Sequence, residues 1–423
     1  YEGRLRPRSA YAFGNIDRWA RLASHAPGLV NLTTQLPFLR DISKLLAGMP
    51  TERSIPAFAP ETFKSWLHRR RTPDARGAGK NGSGWRGARN VSGRRSQRNA
   101  FGWRREPNAF GWRSASSAAI GTPAAGGALA PEAAPTVLLW PDTFNNYFLP
   151  ATAKAAVHVL EAAGFRVIVP KANLCCGRPL YDHGMLDRAQ ALLLQILDVL
   201  SPEIEAGIPL VGLEPSCVAV FRDELINLFP HDERAQALSR QTFLLSEFIE
   251  AHAKDFPLPR LDRQALLHGH CHHKSLMKMT AEEAVLRRLG VDFQSPAPGC
   301  CGMAGSFGFE RDKYDISMAI GELELLPAVR RAPADWLIIA DGFSCREQIA
   351  QASSRHALHL AEVLQMALRH PDEAPHSASG PYPESAQARE RDAEVFQSMK
   401  RAGLGLAAVA AGAALLWEFS RSR

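Results

Sequence analysis

The sequence predicts an α/β protein made of two tandem, pseudo-symmetric units, each a short parallel sheet with flanking helices. Three observations predict it. A Cys-Cys-Gly tripeptide occurs twice, at Cys175-Cys176-Gly177 and Cys300-Cys301-Gly302, and each is followed at similar distance by a lone cysteine, Cys217 or Cys345. Short apolar runs of strand character alternate with helix-like stretches in the same order around both tripeptides. Each cysteine falls where a predicted strand ends, the place where open parallel sheets collect their ligands.

In the first unit, Val137-Leu138-Leu139-Trp140 reads as a strand and Ala151 to Ala163 as a helix ended by Gly164. Arg166 to Val169 reads as the next strand, and Ile208 to Leu213 as a later one running into Glu214-Pro215-Ser216-Cys217. The second unit repeats the plan. Ala265-Leu266-Leu267-His268 is its first strand, Ser275 to Leu289 a helix ended by Gly290, Val291 to Phe293 a short strand, and Trp336 to Asp341 the strand that enters Gly342-Phe343-Ser344-Cys345. Glu310, Arg311 and Asp312 read as an exposed polar loop or helix start, with no acid/base role.

The flanks have other characters. Residues 1–68 hold amphipathic helix candidates, Asn15 to Ala26 and Leu36 to Ala47, and read as a helical connector. Residues 69–135 are rich in Gly, Arg, Ser and Ala, include a direct copy (Asn99 to Arg104 and Asn108 to Arg113), and hold too few aliphatic residues for a core, so a disordered linker is predicted. Its arginines account for the net charge of +7, so basicity belongs to this segment. Arginine beside tryptophan could stack on single-stranded nucleic acid, but no nucleic-acid fold accompanies it and no such partner is expected. The two units occupy 136–255 and 256–370. A polar linker, 371–401, and a short apolar helix, 402–417, follow. That helix is shorter than the roughly 20 residues of a bilayer span, so it is expected either to dip into a membrane surface, with Trp417 at the interface, or to pack on a partner.

The cysteines carry the chemistry. Adjacent cysteines are poor disulfide partners, because bridging neighbours strains the intervening peptide. Binding suits them better: the following glycine can take positive φ and bring amide N–H groups toward sulfur. Cys271, within His268-Gly269-His270-Cys271-His272-His273, joins Cys300, Cys301 and Cys345 in a four-thiolate set drawn from three strand-end loops. Such a set suits an iron-sulfur cluster. It would also satisfy tetrahedral zinc, although the paired C-x2-4-C knuckles usual for zinc are absent, and inert buried thiols are the third reading. His268 and His270 are candidates to orient the ligands, and His272 and His273 read as loop hydrogen-bonding residues. With 46% hydrophobic residues and seven cysteines grouped by motif, the composition fits a globular protein of a reducing, cytoplasmic compartment.

Leu174 to Asp182 and Pro298 to Gly305 resemble the cysteine-rich CCG-domain family of iron-sulfur oxidoreductases, which includes heterodisulfide reductase subunits, the glycolate oxidase iron-sulfur subunit, and glycerol-3-phosphate and lactate-utilisation subunits. The likeness extends to bacterial fused proteins that join an FAD-linked 2-hydroxy acid dehydrogenase to a ferredoxin-like module and a C-terminal CCG region. It covers about half the chain, Thr136 to Leu368. The resemblance implies a 4Fe-4S cluster on Cys271, Cys300, Cys301 and Cys345, and a second or vestigial site at Cys175, Cys176 and Cys217. It implies an electron-transfer module of a D-lactate, glycolate or 2-hydroxyglutarate type system, peripheral to the inner membrane, with a flavin dehydrogenase and a ferredoxin-like module as partners and a membrane quinone as acceptor. FAD would come only through a missing domain or a partner. Thiol/disulfide chemistry of the heterodisulfide reductase type, or a silent zinc-binding or structural fragment, are the alternatives.

This sequence departs from the family pattern. The downstream C-x2-C is reduced to Cys345-Arg346-Glu347-Gln348, and the first repeat has no upstream cysteine near Asp142-Thr143-Phe144. The FAD region and the C-x2-C-x2-C-x3-C-P run of a ferredoxin do not occur, and the chain opens at Tyr1 in a charged stretch, so a fragment of a longer protein is expected, not a complete dehydrogenase.

Overall fold

The computed structural model describes residues 4–72, 134–297, 299–369 and 382–421. The predicted disordered linker lies almost wholly outside these residues, as does the start of the polar linker after residue 369. Among the described residues, Thr136–Leu139 (β1), Arg166–Ile168 (β2), Leu210–Gly212 (β3) and Thr242–Leu244 (β4) form a parallel sheet in the order β2-β1-β3-β4. Gln264–Leu267 (β5), Asp292–Gln294 (β6) and Leu337–Ile339 (β7) form the second, β6-β5-β7, also parallel.

The registers match. Val137 pairs with Val167 and Leu138 with Leu210; Ala265 pairs with Phe293 and Leu266 with Ile338. The residue after each first strand extends the ladder, Trp140 N–H donating to Val211 O at 2.8 Å and His268 N–H to Ile339 O at 2.9 Å. The fourth strand of the first sheet has only a remnant counterpart, a parallel bridge between Ile339 and Leu358.

Because strand side chains alternate, each sheet buries two faces. Val137 and Leu139 of one sheet and Ala265, Leu267, Leu337 and Ile339 of the other share a single apolar core. Helix Pro150–Ala162 of the first repeat and helix Leu360–Arg369, which ends the second, pack together within it. The opposite faces have separate cores, Leu138, Trp140, Ile196, Leu210 and Phe221 in one repeat, and Leu266, Leu325, Val329, Ile338 and Ile349 in the other. Cys176 and Cys217 belong to the first of these separate cores, Cys301 and Cys345 to the second.

The helices before residue 72 wrap onto this body. Arg53, 1% exposed, donates to Gly308 O at 2.8 Å and to Ser317 Oγ at 3.0 Å, and its guanidinium lies over the Tyr314 ring. Asn31, within helix Pro27–Gln35, exchanges two hydrogen bonds with the Phe58 backbone and ties that helix to the segment around Phe58.

Two regions differ from the sequence expectation. Ser275 to Leu289 is not one helix: a π-turn, His273–Met277, and a non-glycine residue at positive φ, Lys278 (68°), precede helix Thr280–Arg288. The last helix starts at Ser385 and runs to Arg421, because the polar stretch before Ala402 is rich in Ala, Glu, Gln and Arg, all good helix formers. It packs on helix Pro27–Gln35, where a Cβ on Gly28 would come within 2.4 Å of Ser398 O, so only glycine permits the crossing. No helix among the described residues is long and apolar enough to cross a membrane.

Candidate functional site

Both Cys-Cys-Gly loops, and the loops after β1, β3, β5 and β7, open on one cavity of about 360 Å³. Its lining includes Cys175, Cys176 and Cys217 from the first repeat and Cys271, Cys300 and Cys301 from the second. Phe13, Met49 and Phe58 from the helical connector close another side. Parallel strands put these loops at their carboxyl ends, and the two repeats present those ends to one space.

The glycines do what the sequence required of them. Gly177 and Gly302 have φ of 82° and 85°. A Cβ at Gly302 would lie 2.0 Å from Ser317 O, and the Gly302 N–H points at Cys300 Sγ at 3.3 Å. An amide donated to sulfur favours thiolate there.

In the second repeat the four expected cysteines meet. Cys271 contacts Cys300, Cys300 contacts Cys301, and Cys301 contacts Cys345, with His268 also hydrogen-bonded to Cys345. Protons are shared unequally along this chain. The bond to Cys300 pushes Cys271 up, and bonds to Cys300 and Cys345 push Cys301 up. Cys300 is held low by the bond from Cys271 and then that from Cys301, and Cys345 by the bond from Cys301 and then His268.

The first repeat is built differently. Cys176 and Cys217 stand 3.0 Å apart, sulfur to sulfur. Thr143 occupies the place that Cys271 has in the second repeat, and its hydroxyl lies 3.9 Å from Cys175 Sγ. Cys175 is pushed well up by its bond to Cys176 and by burial. For Cys217 the bond from Cys176 lowers the value, but burial with Asp142 and Glu214 outweighs it and the thiol rises to about 11.

Sequence reasoning missed several residues here. Asp142 caps helix Thr143–Tyr147, accepting from Phe144 N and Asn145 N, and burial followed by Glu214 raises its carboxyl to about 6. Glu214 Oε2 accepts from Phe343 N at 2.8 Å, binding the β3 loop to the β7 loop, while Phe144 stacks on Phe343 with centroids 4.1 Å apart. Arg178, directly after the first Cys-Cys-Gly, pairs with Glu224 and reaches His272 Nε2 at 3.1 Å. Burial and then Arg178 lower His272 to about 4, which keeps it neutral. An acidic residue at a strand end beside an apolar run was the available signal for Asp142 and Glu214.

The fold and site define a duplicated α/β protein that directs two sets of cysteine loops into one cavity. Residues 143–222 and 265–350 each match the cysteine-rich domain (CCG) family. It is 27% identical over 239 residues to D-2-hydroxyglutarate dehydrogenase of Escherichia coli (strain K12), an alignment covering 56% of this chain and 23% of that protein. It is 28% identical over 229 residues to a subunit of anaerobic glycerol-3-phosphate dehydrogenase of the same organism, covering 53% and 57%. Lactate utilization protein A of Bacillus licheniformis is 29% identical over 234 residues, covering 52% of this chain and 94% of that protein. The chain thus spans about a quarter of the first relative and little more than half of the second.

Proposed function

We propose that this chain is an iron-sulfur electron-transfer module of a flavin-linked 2-hydroxy acid dehydrogenase system. The observation that carries the reading is the convergence of Cys271, Cys300, Cys301 and Cys345 at one end of the second sheet, beside a cavity. The residues fit a 4Fe-4S cluster: four sulfur donors, an amide aimed at Cys300, and an imidazole beside Cys345. When bound, such a cluster supplies one-electron transfer. The protein's part is to hold the thiolates, direct amides at them, and exclude water with the phenylalanines of the cavity wall. Relatives named as dehydrogenases, and one named as part of a dehydrogenase assembly, support a flavin dehydrogenase as electron donor. The ferredoxin-like module and the membrane quinone belong to the same proposal, with the exposed Leu404, Val409 and Trp417 of the last helix as the surface facing the membrane.

Anaerobic reconstitution with ferrous iron and sulfide tests it. About four iron and four acid-labile sulfide per chain, with visible absorption that bleaches on reduction, is the expected result. Zinc without sulfide would overturn it. A second reading, reduction of a disulfide substrate, is favoured by the cavity that touches both cysteine sets; turnover of a small disulfide by the reduced, reconstituted protein would select it.

A further inference from the structure

We propose that His273, Glu282 and Asp341 form a buried site for one divalent transition-metal ion, separate from the thiol sites, which ties the Cys271 loop to the Cys345 loop. The ligand atoms of these three side chains lie within 4.8 Å of one another. They come from three elements: the π-turn His273–Met277, the first turn of helix Thr280–Arg288, and the residues between β7 and helix Phe343–Ala352. His273 and Glu282 are each 1% exposed and Asp341 is 6% exposed.

Several of their polar atoms lack hydrogen-bond partners, although Glu282 and Asp341 also touch each other. His273 Nδ1 is 3.2 Å from Glu282 Oε2, yet the contact is not aligned as a hydrogen bond, and both His273 nitrogens and Glu282 Oε2 lack partners among the described residues. A buried polar atom without a partner is costly, so three of them in one spot call for an occupant. Two ligands at 2.0–2.1 Å from a tetrahedral ion sit about 3.3 Å apart, close to the spacing seen here.

The charges favour a cation. Among the described residues neither Glu282 nor Asp341 has an ion pair with lysine or arginine. Asp341 accepts from Leu360 N at 2.9 Å and lies 3.5 Å from His359 Nε2. His359 is committed elsewhere: its Nε2–H donates to Leu213 O at 2.9 Å and its Nδ1 accepts from Ala361 N at 2.9 Å. Burial and then Asp341 push the Glu282 carboxyl well up. One imidazole with two carboxylates suits zinc or ferrous iron better than calcium or magnesium, whose sites are all oxygen.

The position gives the ion a role. His273 lies two residues after Cys271, and Asp341 lies four before Cys345. An ion between them would set the separation of two loops that carry the cysteines.

The test uses the full chain with zinc as the probe. Zinc is measured after equilibration against a competing chelator, for wild type, His273→Gln, Glu282→Gln and the double variant Cys217→Ser/Cys301→Ser. The double variant should keep about one zinc, and its cobalt-substituted form should show ligand-field bands without sulfur-to-cobalt charge transfer. His273→Gln and Glu282→Gln should lose that equivalent with unchanged far-ultraviolet circular dichroism. Should both fail to fold, the cobalt spectrum of the double variant decides alone. Zinc absent from the folded double variant, or cobalt spectra dominated by sulfur, would overturn the proposal and leave the two carboxyls sharing a proton.

Discussion

At the second repeat the residue facing the vicinal pair is Cys271, and the strand end beside it carries His268 and His270; at the first, the same places hold Thr143, Trp140 and Asp142. The backbones correspond, with the same parallel pairing and the same positive-φ glycine. The electrostatics are opposite. Imidazoles help hold Cys345 low, whereas Asp142 and Glu214 help push Cys217 up. One duplicated scaffold therefore surrounds one set of cysteines with imidazoles and the other with buried carboxylates, and the distinction rests on a few residues at strand ends.

The sharpest way to break this comparison is to remove one sulfur from each set. Cys301→Ser should abolish most iron-sulfur absorption of the reconstituted protein, and Cys217→Ser should retain most of it; equal loss would mean that the repeats share one site. Next in size, Thr143→Cys supplies the missing fourth thiol, and iron per chain should rise up to about twofold if ligand number alone limits the first site.

The carboxylates set the third effect. Burial, then Glu214, holds Asp142 at about 6, above its ordinary 3.8, so the folded chain binds this proton more tightly than the unfolded chain. Its contribution to stability is full below about pH 4 and is lost as pH rises through about 6, for a total of about 3 kcal/mol. Urea unfolding of metal-free protein should show that slope, and Asp142→Asn should flatten it. The smallest effect is at the seam. Arg178→Met should cost about 1–2 kcal/mol by stranding Glu224, and the His272 titration followed by NMR should move up from about 4 when the neighbouring charge goes.

The duplicated strand-and-cysteine order was legible because two signals agree. Leu138 and Leu266 sit in short continuous apolar runs of strand character, and each run ends at a ligand-type loop. The convergence of Cys271 with Cys345 follows from that order, since β5 and β7 are neighbours. β4 was not legible: Thr242-Phe243-Leu244 lies between helices Glu233–Gln241 and Leu245–His252 with no turn residue to announce it. Nor was the break at Lys278, whose positive φ no glycine or asparagine signals. The buried acids Asp142, Glu214, Glu282 and Asp341 escaped because a lone carboxylate in sequence looks like solvated surface. Only tertiary packing reveals that each is enclosed.

The apolar seam between helix Pro150–Ala162 and helix Leu360–Arg369 has a mechanical corollary. The stretch joining the repeats is exposed at Lys254, Asp255, Pro257 and Arg260. A protease nick there would leave two polypeptides clasped by their shared apolar core, which would elute as one particle and part only under denaturant. Severing the covalent thread is thus expected to spare the particle, because its unity is written in the interior and not in the tether.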